Sequence, residues 1–536
     1  MMALSKHSIY NQIQQTSLSN TYLWLLFFTI SFLFVFLFNL TKKPTKTNMN
    51  LPPSPPKLPF IGNLLQLGTL PHRSLRTLSQ TYGDIMMLQL GQRAHPTLVV
   101  SSAQISKEIA KNHDLVFSNR PQNTATKILL YGATDVGFGL YGDDWRKKRK
   151  IIVLQLLSTR RVQSFRSIRE EEVMETVKEL VEASLKGKTV NLGKMVVSTA
   201  NNIVCKCALG GTYGKEGGIQ DLARRVMIYL TAFTVGDYFP ALGWVDVVSG
   251  KIGRYRETFR KLDCLFDKVI EEHKMMMAKK KEEEGDYDDD KKKKKDLVDV
   301  LLEIQQDGMV DGDYELSNND LKALLMDMFV GGTDTTSATI EWAMTRLVKN
   351  PESMKKVQQE VRSVVGRNNS SKVEENHINQ MHYLKCVVKE TLRLHPPCTV
   401  LPPRETMASL KLNGYDIPDK TMVLTNVWAI QRDPKLWEKA EEFMPERFEK
   451  SEIDFNGDQW FEFLPFGYGR RGCPGMFFGV ATVEYVLATL LYWFDWKLPE
   501  DVSSVDDIDM GEEYGLVVSK KVPLHLKPIA HVKVLN

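Results

Sequence analysis

Apolar positions recur at the three- and four-residue spacing of a helix over most of the chain. Asp296 to Gln306, Leu321 to Lys349 and Gly475 to Phe494 each carry that pattern, which predicts helices with a buried face. One stretch breaks the period. In SLKLNGYDIPDKTMVL, apolar and polar residues alternate around Asn413-Gly414, the dipeptide best suited to a tight two-residue hairpin. The expected fold class is mainly α with small β-sheets. From Ser74 to the C-terminus the pattern runs without a break, so one large body is expected.

The N-terminus differs. Tyr22 to Leu40 is 19 residues without a charge, long enough to cross a bilayer as a helix. Its apolar core is too long for a cleaved signal peptide, and no small-residue cleavage site follows it. Lys42, Lys43 and Lys46 on its C-terminal side place the remainder in the cytoplasm, with Lys6 the one opposing charge in front. LPPSPPKLPFIGNL, Leu51 to Leu64, then forces extended, polyproline-like backbone and reads as a stiff spacer. The expected organisation is a short lumenal piece (1–21), a signal anchor (22–40), a basic and proline-rich hinge (41–64) and the body (65–536). Charge blocks in 274–296 cannot bury a core, so that segment is expected as a solvated surface loop.

Composition excludes some functions. With 43% hydrophobic and 25% charged residues the chain is globular, and a net charge of +4 gives no electrostatic footprint for nucleic acid. Six cysteines stand at 205, 207, 264, 386, 398 and 473 without a C-x-x-C pair. They form neither a zinc framework nor a disulfide scaffold, and they suit a reducing compartment.

Three stretches carry candidate chemistry. In FLPFGYGRRGCPG, Gly467, Gly469 and Gly472 match the G-x-G-x-x-G of a dinucleotide cradle. The context argues against it. Pro465 removes a ladder donor where a central strand should end, and Arg470 and Arg471 crowd the turn. Cys473 beside it is open to three readings: an iron ligand, a nucleophile, or packing. Pro474 and the apolar helix after it set the sulfur at a helix N-terminus, where unpaired N–H groups lower a thiol pKa. A nucleophile would need a base, and His382 and His395 are distant in sequence.

The second stretch is FVGGTDTTSATIEW. Gly331 and Gly332 each weaken a helix interior by about 1 kcal/mol relative to Ala, so something should compensate. The Thr335 hydroxyl can bond the Gly331 carbonyl four residues back and open a groove. Asp334, an acid in an apolar helix, would have a raised pKa suited to proton delivery. In the third stretch, KETLRLHPP, Glu390 and Arg393 share a helix face that Pro396-Pro397 ends.

Together and in this order, these stretches resemble the cytochrome P-450 monooxygenases. The haem-loop pattern F-x-x-G-x-R-x-C-x-G falls on Phe466, Gly469, Arg471, Cys473 and Gly475, and [A/G]-G-x-[D/E]-T-[T/S] falls on Gly331 to Thr336. E-x-x-R falls on Glu390 and Arg393, PERF supplies Arg447, and W-x-x-x-R falls on Trp145 and Arg149. The anchor, the proline hinge, FSNRP at Phe117 to Pro121 and LPPRET are similar to the plant microsomal A-type, reductase-dependent enzymes.

The resemblance implies a cytochrome P-450 fold preceded by a single transmembrane helix, on the endoplasmic reticulum, with the catalytic domain facing the cytoplasm. It implies haem b with Cys473 as axial thiolate, a ligand that favours O–O cleavage. Trp145, Arg149, Arg404 and Arg471 would meet the haem propionates, and Phe466 would also lie at the cofactor. Asp334 and Thr335 would deliver protons. Glu390, Arg393 and Arg447 would be structural.

By the same resemblance a small hydrophobic substrate would contact Ile128, Phe329, Val330, Gly331, Val400, Leu401, Leu516 and Val517. Terpenoids, phenylpropanoids and coumarins are the classes implied, and Gly331, where Ala is usual, would admit a bulkier molecule. Electrons would come from NADPH through NADPH-cytochrome P-450 reductase, with cytochrome b5 as a further partner. Lys147 and Lys148 are candidates to meet an acidic partner. Two other readings compete. One is a haem-thiolate enzyme of non-oxygenating chemistry, such as oxime dehydration, oxidative ring coupling or peroxide rearrangement. The other is a non-enzymatic haem or electron-transfer protein.

Overall fold

Local chemistry sets the helix ends. In the computed structural model, which describes residues 26–27, 29–30, 49–212, 218–283, 295–307, 315–367 and 372–531, Ser317 opens the helix Asn318–Gly332 with a capping box. Its hydroxyl accepts the Asp320 N–H at 3.2 Å while the Asp320 carboxylate takes the Ser317 N–H at 3.1 Å. Pro71 stands in the first turn of Pro71–Tyr82, where its missing N–H does no harm. Apart from its helical residues 26–27 and 29–30, the segment expected as an anchor lies outside the described residues.

Helix Asp334–Lys349 runs through the centre and packs on Leu192–Leu209, His382–Leu394, Pro351–Arg367 and Met476–Trp493. The last of these is long and apolar enough to cross a membrane, but most of it is buried in this core. It is apolar on all sides because protein surrounds it.

Small sheets flank the helices. Thr97–Val100 pairs antiparallel with Ile85–Leu88 and parallel with Met422–Thr425, which in turn pairs with Arg404–Glu405. All four residues of each of the first two strands are buried, so they read as short apolar runs without alternation. The expected hairpin is present as Leu410–Leu412 and Tyr415–Ile417. Asn413 (φ 47°) and Gly414 (φ 80°) both adopt the left-handed conformation that such a turn requires.

Two expectations change. Helix Lys251–Glu283 continues well into the segment expected as a loop, whose residues 284–294 lie outside the described residues. Lys, Met, Ala and Glu are strong helix formers, and His273 on the same helix is buried against Asp296. The predicted helix from Leu321 to Lys349 is broken in two at Thr333.

Candidate active site

The loop Phe463 to Gly475 contains a short 3-10 turn, Gly469–Arg471, and no strand enters it. The phosphate-cradle reading therefore lacks its strand. Gly469 has φ 64°, and a Cβ there would lie 2.2 Å from Asp114 Oδ1. Its N–H donates to Asp458 Oδ1 at 2.7 Å. The turn folds back so that the Cys473 N–H donates to the Phe466 carbonyl at 2.8 Å, and helix Met476–Trp493 begins just beyond. The accessible surface of Cys473 faces an internal cavity.

Burial pushes the Cys473 thiol up, and the Gly475 N–H and the Arg149 guanidinium only partly oppose this. The lowered pKa expected from a helix N-terminus is thus outweighed by desolvation. Neutral and without a base, the thiol is a poor nucleophile; a bound cation would turn it into a thiolate. His395 is engaged elsewhere, stacked on Trp342 at 3.9 Å and accepting Arg346 Nε–H at 2.9 Å.

The cavity, of about 290 Å³, is lined mostly by apolar side chains. Asp327, Gly331 and Thr335, spaced four apart, contribute one stripe of the broken helix. Val330, Leu401, Leu516 and Val517 line it, together with Trp145, Arg149, Arg404, Phe466, Arg471 and Cys473. Phe329 does not. It is turned about 200° from Gly331 around the helix and packs 6.1 Å from the Phe266 ring. Val400 packs with the sheet-side cluster while its neighbour Leu401 faces the cavity, the alternation of extended backbone. Ile128 packs on the main core and does not line the cavity.

At the helix break, the Thr335 hydroxyl donates to the Gly331 carbonyl at 2.6 Å. A Cβ at Gly331 would meet nothing within 4 Å, whereas one at Gly332 would lie 2.8 Å from Val204 Cγ2. The glycine pair is thus explained on one side by close helix packing and on the other by the cavity wall. Asp334 does not line the cavity. Burial pushes its carboxyl up, against the pull of Arg224.

Four arginines converge on the cavity, and sequence reasoning named three of them. Arg471 donates to the carbonyls of Ser118 (2.7 Å), Val136 (3.1 Å) and Gly139 (2.6 Å). Arg149 donates to Gly472 O at 2.6 Å, and Arg404 reaches Tyr468 O and, at 3.3 Å, Asp114. The fourth, Arg120, lies within the quoted FSNRP and donates to the carbonyls of Gly137, Pro402 and Pro403. Burial, with Arg471 and Arg404 beside it, pushes Arg120 well down, and burial with Arg404 does the same to Arg471. Mostly neutral carbonyls answer these cations, so an anionic ligand would relieve the repulsion.

Residues 52–527 match the family model described as Cytochrome P450. The chain is a cytochrome P450. It is 48% identical to a phenylacetaldehyde oxime monooxygenase of Prunus mume over 92% of each chain. It is 44% identical to desmethylyatein synthase of Sinopodophyllum hexandrum, covering 94% of this chain and 98% of that one. Costunolide synthase of Lactuca sativa is 43% identical, with 90% and 94% covered. A zebra fish cytochrome P450 solved with abiraterone shares the fold, with TM-score 0.69, 24% identity, and coverage of 87% of this chain and all of that one.

This P450 is therefore a plant A-type oxidoreductase of the monooxygenase class, whose cofactor is haem iron with a thiolate ligand, reduced from NADPH through a reductase. The residues present fit that group. Cys473 offers a sulfur open to the cavity with no histidine among the cavity-lining described residues, and Arg120, Arg149, Arg404 and Arg471 offer positive charge toward carboxylates.

Behind the cavity of the P450, Arg393 grips Glu390 with two bonds, at 2.7 and 2.8 Å, both side chains fully buried. Arg393 also donates to the carbonyls of Gln431, Ala440 and Glu442, while Arg447 adds a bond to Glu390 at 3.1 Å. Every strong donor and acceptor of this buried pair is thereby used. Lys148 is not a docking residue: it is buried, pairs with Asp320 at 2.5 Å and donates to Thr134 O. Lys147 beside it is exposed. Val204 and Met227 line the cavity, and their ordinary apolar spacing gave no sign of it.

Proposed function

We propose that this chain monooxygenates a small hydrophobic plant specialised metabolite, a terpenoid or a phenylpropanoid or coumarin, on the cytoplasmic face of the endoplasmic reticulum. Electrons come from NADPH through NADPH-cytochrome P450 reductase, and cytochrome b5 is a further donor. One observation carries the reading: Cys473 and the Thr335–Gly331 groove line the same apolar cavity. Haem iron, when bound, supplies the activation of O2.

The residues have distinct tasks. Cys473 ligates the iron as thiolate, and the Phe466 carbonyl and the Gly475 N–H hold its loop. Arg120, Arg149, Arg404 and Arg471 hold the propionates; Trp145, whose one N–H donates to Val136 O, instead lies under the Arg471 guanidinium at 4.1 Å. Thr335 presents a hydroxyl to the cavity, and Asp334 beside it, raised by burial, carries protons inward from the side of Arg224. Val330, Leu401, Leu516 and Val517 exclude water and orient an apolar substrate.

A second reading has its own support. The 48% identity to an oxime monooxygenase favours aromatic aldoximes as substrates. The reduced, carbon-monoxide-bound spectrum of the wild type and of Cys473→His tests the ligand. A wild type without the thiolate-shifted band, or a histidine variant that keeps it, overturns the assignment. Microsomes containing the reductase, supplied with terpenoids, phenylpropanoids, coumarins and aldoximes, test the substrate. No turnover of any of these classes by protein that shows the thiolate-shifted band would reject the substrate reading.

A further inference from the structure

A pair of carboxyl groups beside the cavity has no part in the chemistry above. Asp327, one turn before Gly331, is half-buried at the cavity wall, and both its oxygens accept main-chain N–H groups. Oδ2 takes Val136 at 2.8 Å and Oδ1 takes Gly137 at 3.2 Å. Asp135 directly precedes those residues. Its Oδ2 accepts the Phe138 N–H at 2.7 Å, and its buried Oδ1 meets no protein donor. The two carboxyls converge at Gly137, whose Cβ position is 3.2 Å from Asp135 Oδ2 and 3.2 Å from Asp327 Oδ1. Two carboxylates this close and away from water do not both stay ionised.

The same loop faces the arginine cluster with its carbonyls. Val136 O accepts Trp145 Nε1–H at 2.9 Å and an Arg471 bond, Gly137 O accepts Arg120 at 3.0 Å, and Gly139 O accepts Arg471. The acid pair thus holds one edge of residues 135–139 and the cations hold the other.

We propose that Asp135 and Asp327 share one proton at neutral pH and act as positioning residues, latching loop 135–139 to the broken helix and so setting the arginine cluster. The haem consequence rests on the propionate reading above; the latch rests on the loop geometry alone.

The surroundings agree. Burial pushes Asp135 up to about 6 and Asp327 well above the ordinary carboxylate range, the Asp135 charge adding to the latter. Arg471 opposes the rise at Asp135; Arg120 and Arg149 face the pair from the other elements, and Lys148 is occupied by Asp144, Asp320 and Thr134 O. The proton belongs to the pair rather than to either residue. Because both folded values lie above the unfolded value of 3.8, the pair contributes most at low pH and loses strength as pH rises.

Infrared spectroscopy of full-length protein with isotope-labelled aspartate carboxyls tests the shared proton. A protonated-carboxyl stretch is expected at neutral pH, lost in both Asp135→Asn and Asp327→Asn. Its absence from the wild type, or its survival in both variants, overturns the latch. A second arm compares haem retention across pH. In Asp135→Asn the amide donates permanently to Asp327 while its oxygen still accepts Phe138 N–H, so the alkaline weakening disappears. Asp135→Ala should lose haem about tenfold faster than wild type, as when a supporting partner of a cofactor ligand is removed. Equal behaviour of the Asn and Ala variants refutes the positioning role. The carbon-monoxide band of the wild type judges the haem reading alone, and the infrared band judges the pair alone.

Discussion

The hydroxyl of Thr335 donates to the carbonyl of Gly331 at 2.6 Å, across the point where one long helix becomes two. This is the only hydroxyl that the broken segment 331–335 both bonds within itself and presents to the cavity, because Thr333 is buried with its Oγ1 unpartnered among the described residues.

Thr335→Ala should therefore leave the helix in place and remove the proton-carrying group. Haem content and melting temperature stay near wild type. Product formation falls by about 10²-fold, the lower end for a positioned proton donor, and NADPH is consumed without matching product. Thr335→Ser restores coupling. Parallel assays of NADPH consumption and product check this, and unchanged coupling in the Ala variant would remove Thr335 from the chemistry.

The two glycines should separate cleanly. Gly332→Ala places a methyl 2.8 Å from Val204 Cγ2, so the Val204 side chain or the two helices Asn318–Gly332 and Leu192–Leu209 must give way. Overpacking of this kind destabilises by about 1–3 kcal/mol, and the gain in helix propensity offsets only part of it. Val204→Ala in the same chain should recover most of the loss, a coupling that a double-mutant cycle in denaturant measures. Gly331→Ala meets no atom within 4 Å and should not destabilise. Its methyl enters the cavity instead, so it should lower turnover of large substrates relative to small ones.

What the sequence disclosed follows from distance along the chain. The Thr335–Gly331 bond and the Glu390–Arg393 pair lie within one helical turn, where spacing alone brings groups together. The turn before Cys473 is equally local. Asp327 went unnoticed in the sequence, because its partners Val136 and Gly137 are about 190 residues away, beyond any periodicity. Arg120 was hidden for the same reason, since Pro402 and Pro403 are some 280 residues distant. Phe329 was misplaced because the motif was read as a contiguous wall, although successive helix residues point about 100° apart. The buried Lys148 shows the converse error: a charge run does not say which of its members faces solvent.

Stability should also depend on pH through Glu512, which ties the two ends of the body together. His72 Nε2 lies 3.0 Å from Glu512 Oε2 and Arg73 Nε lies 2.7 Å from the same oxygen, 440 and 439 residues away in sequence. Burial alone would push this carboxyl up, but the hydrogen bonds from His72 and Arg73 and the arginine charge hold it down at about 2. A folded value below the unfolded 4.5 means that the unfolded chain binds the proton more readily, so the contribution is complete above 4.5 and vanishes as pH falls toward 2. That difference corresponds to about 3 kcal/mol. Glu512→Gln should therefore be less stable than wild type at neutral pH by an amount of that order, and the two should converge as the solution is acidified. Urea unfolding across an acid series checks it; a gap that stays constant with pH would mean that the carboxylate charge contributes nothing to holding helix Pro71–Tyr82 to strand Glu512–Glu513.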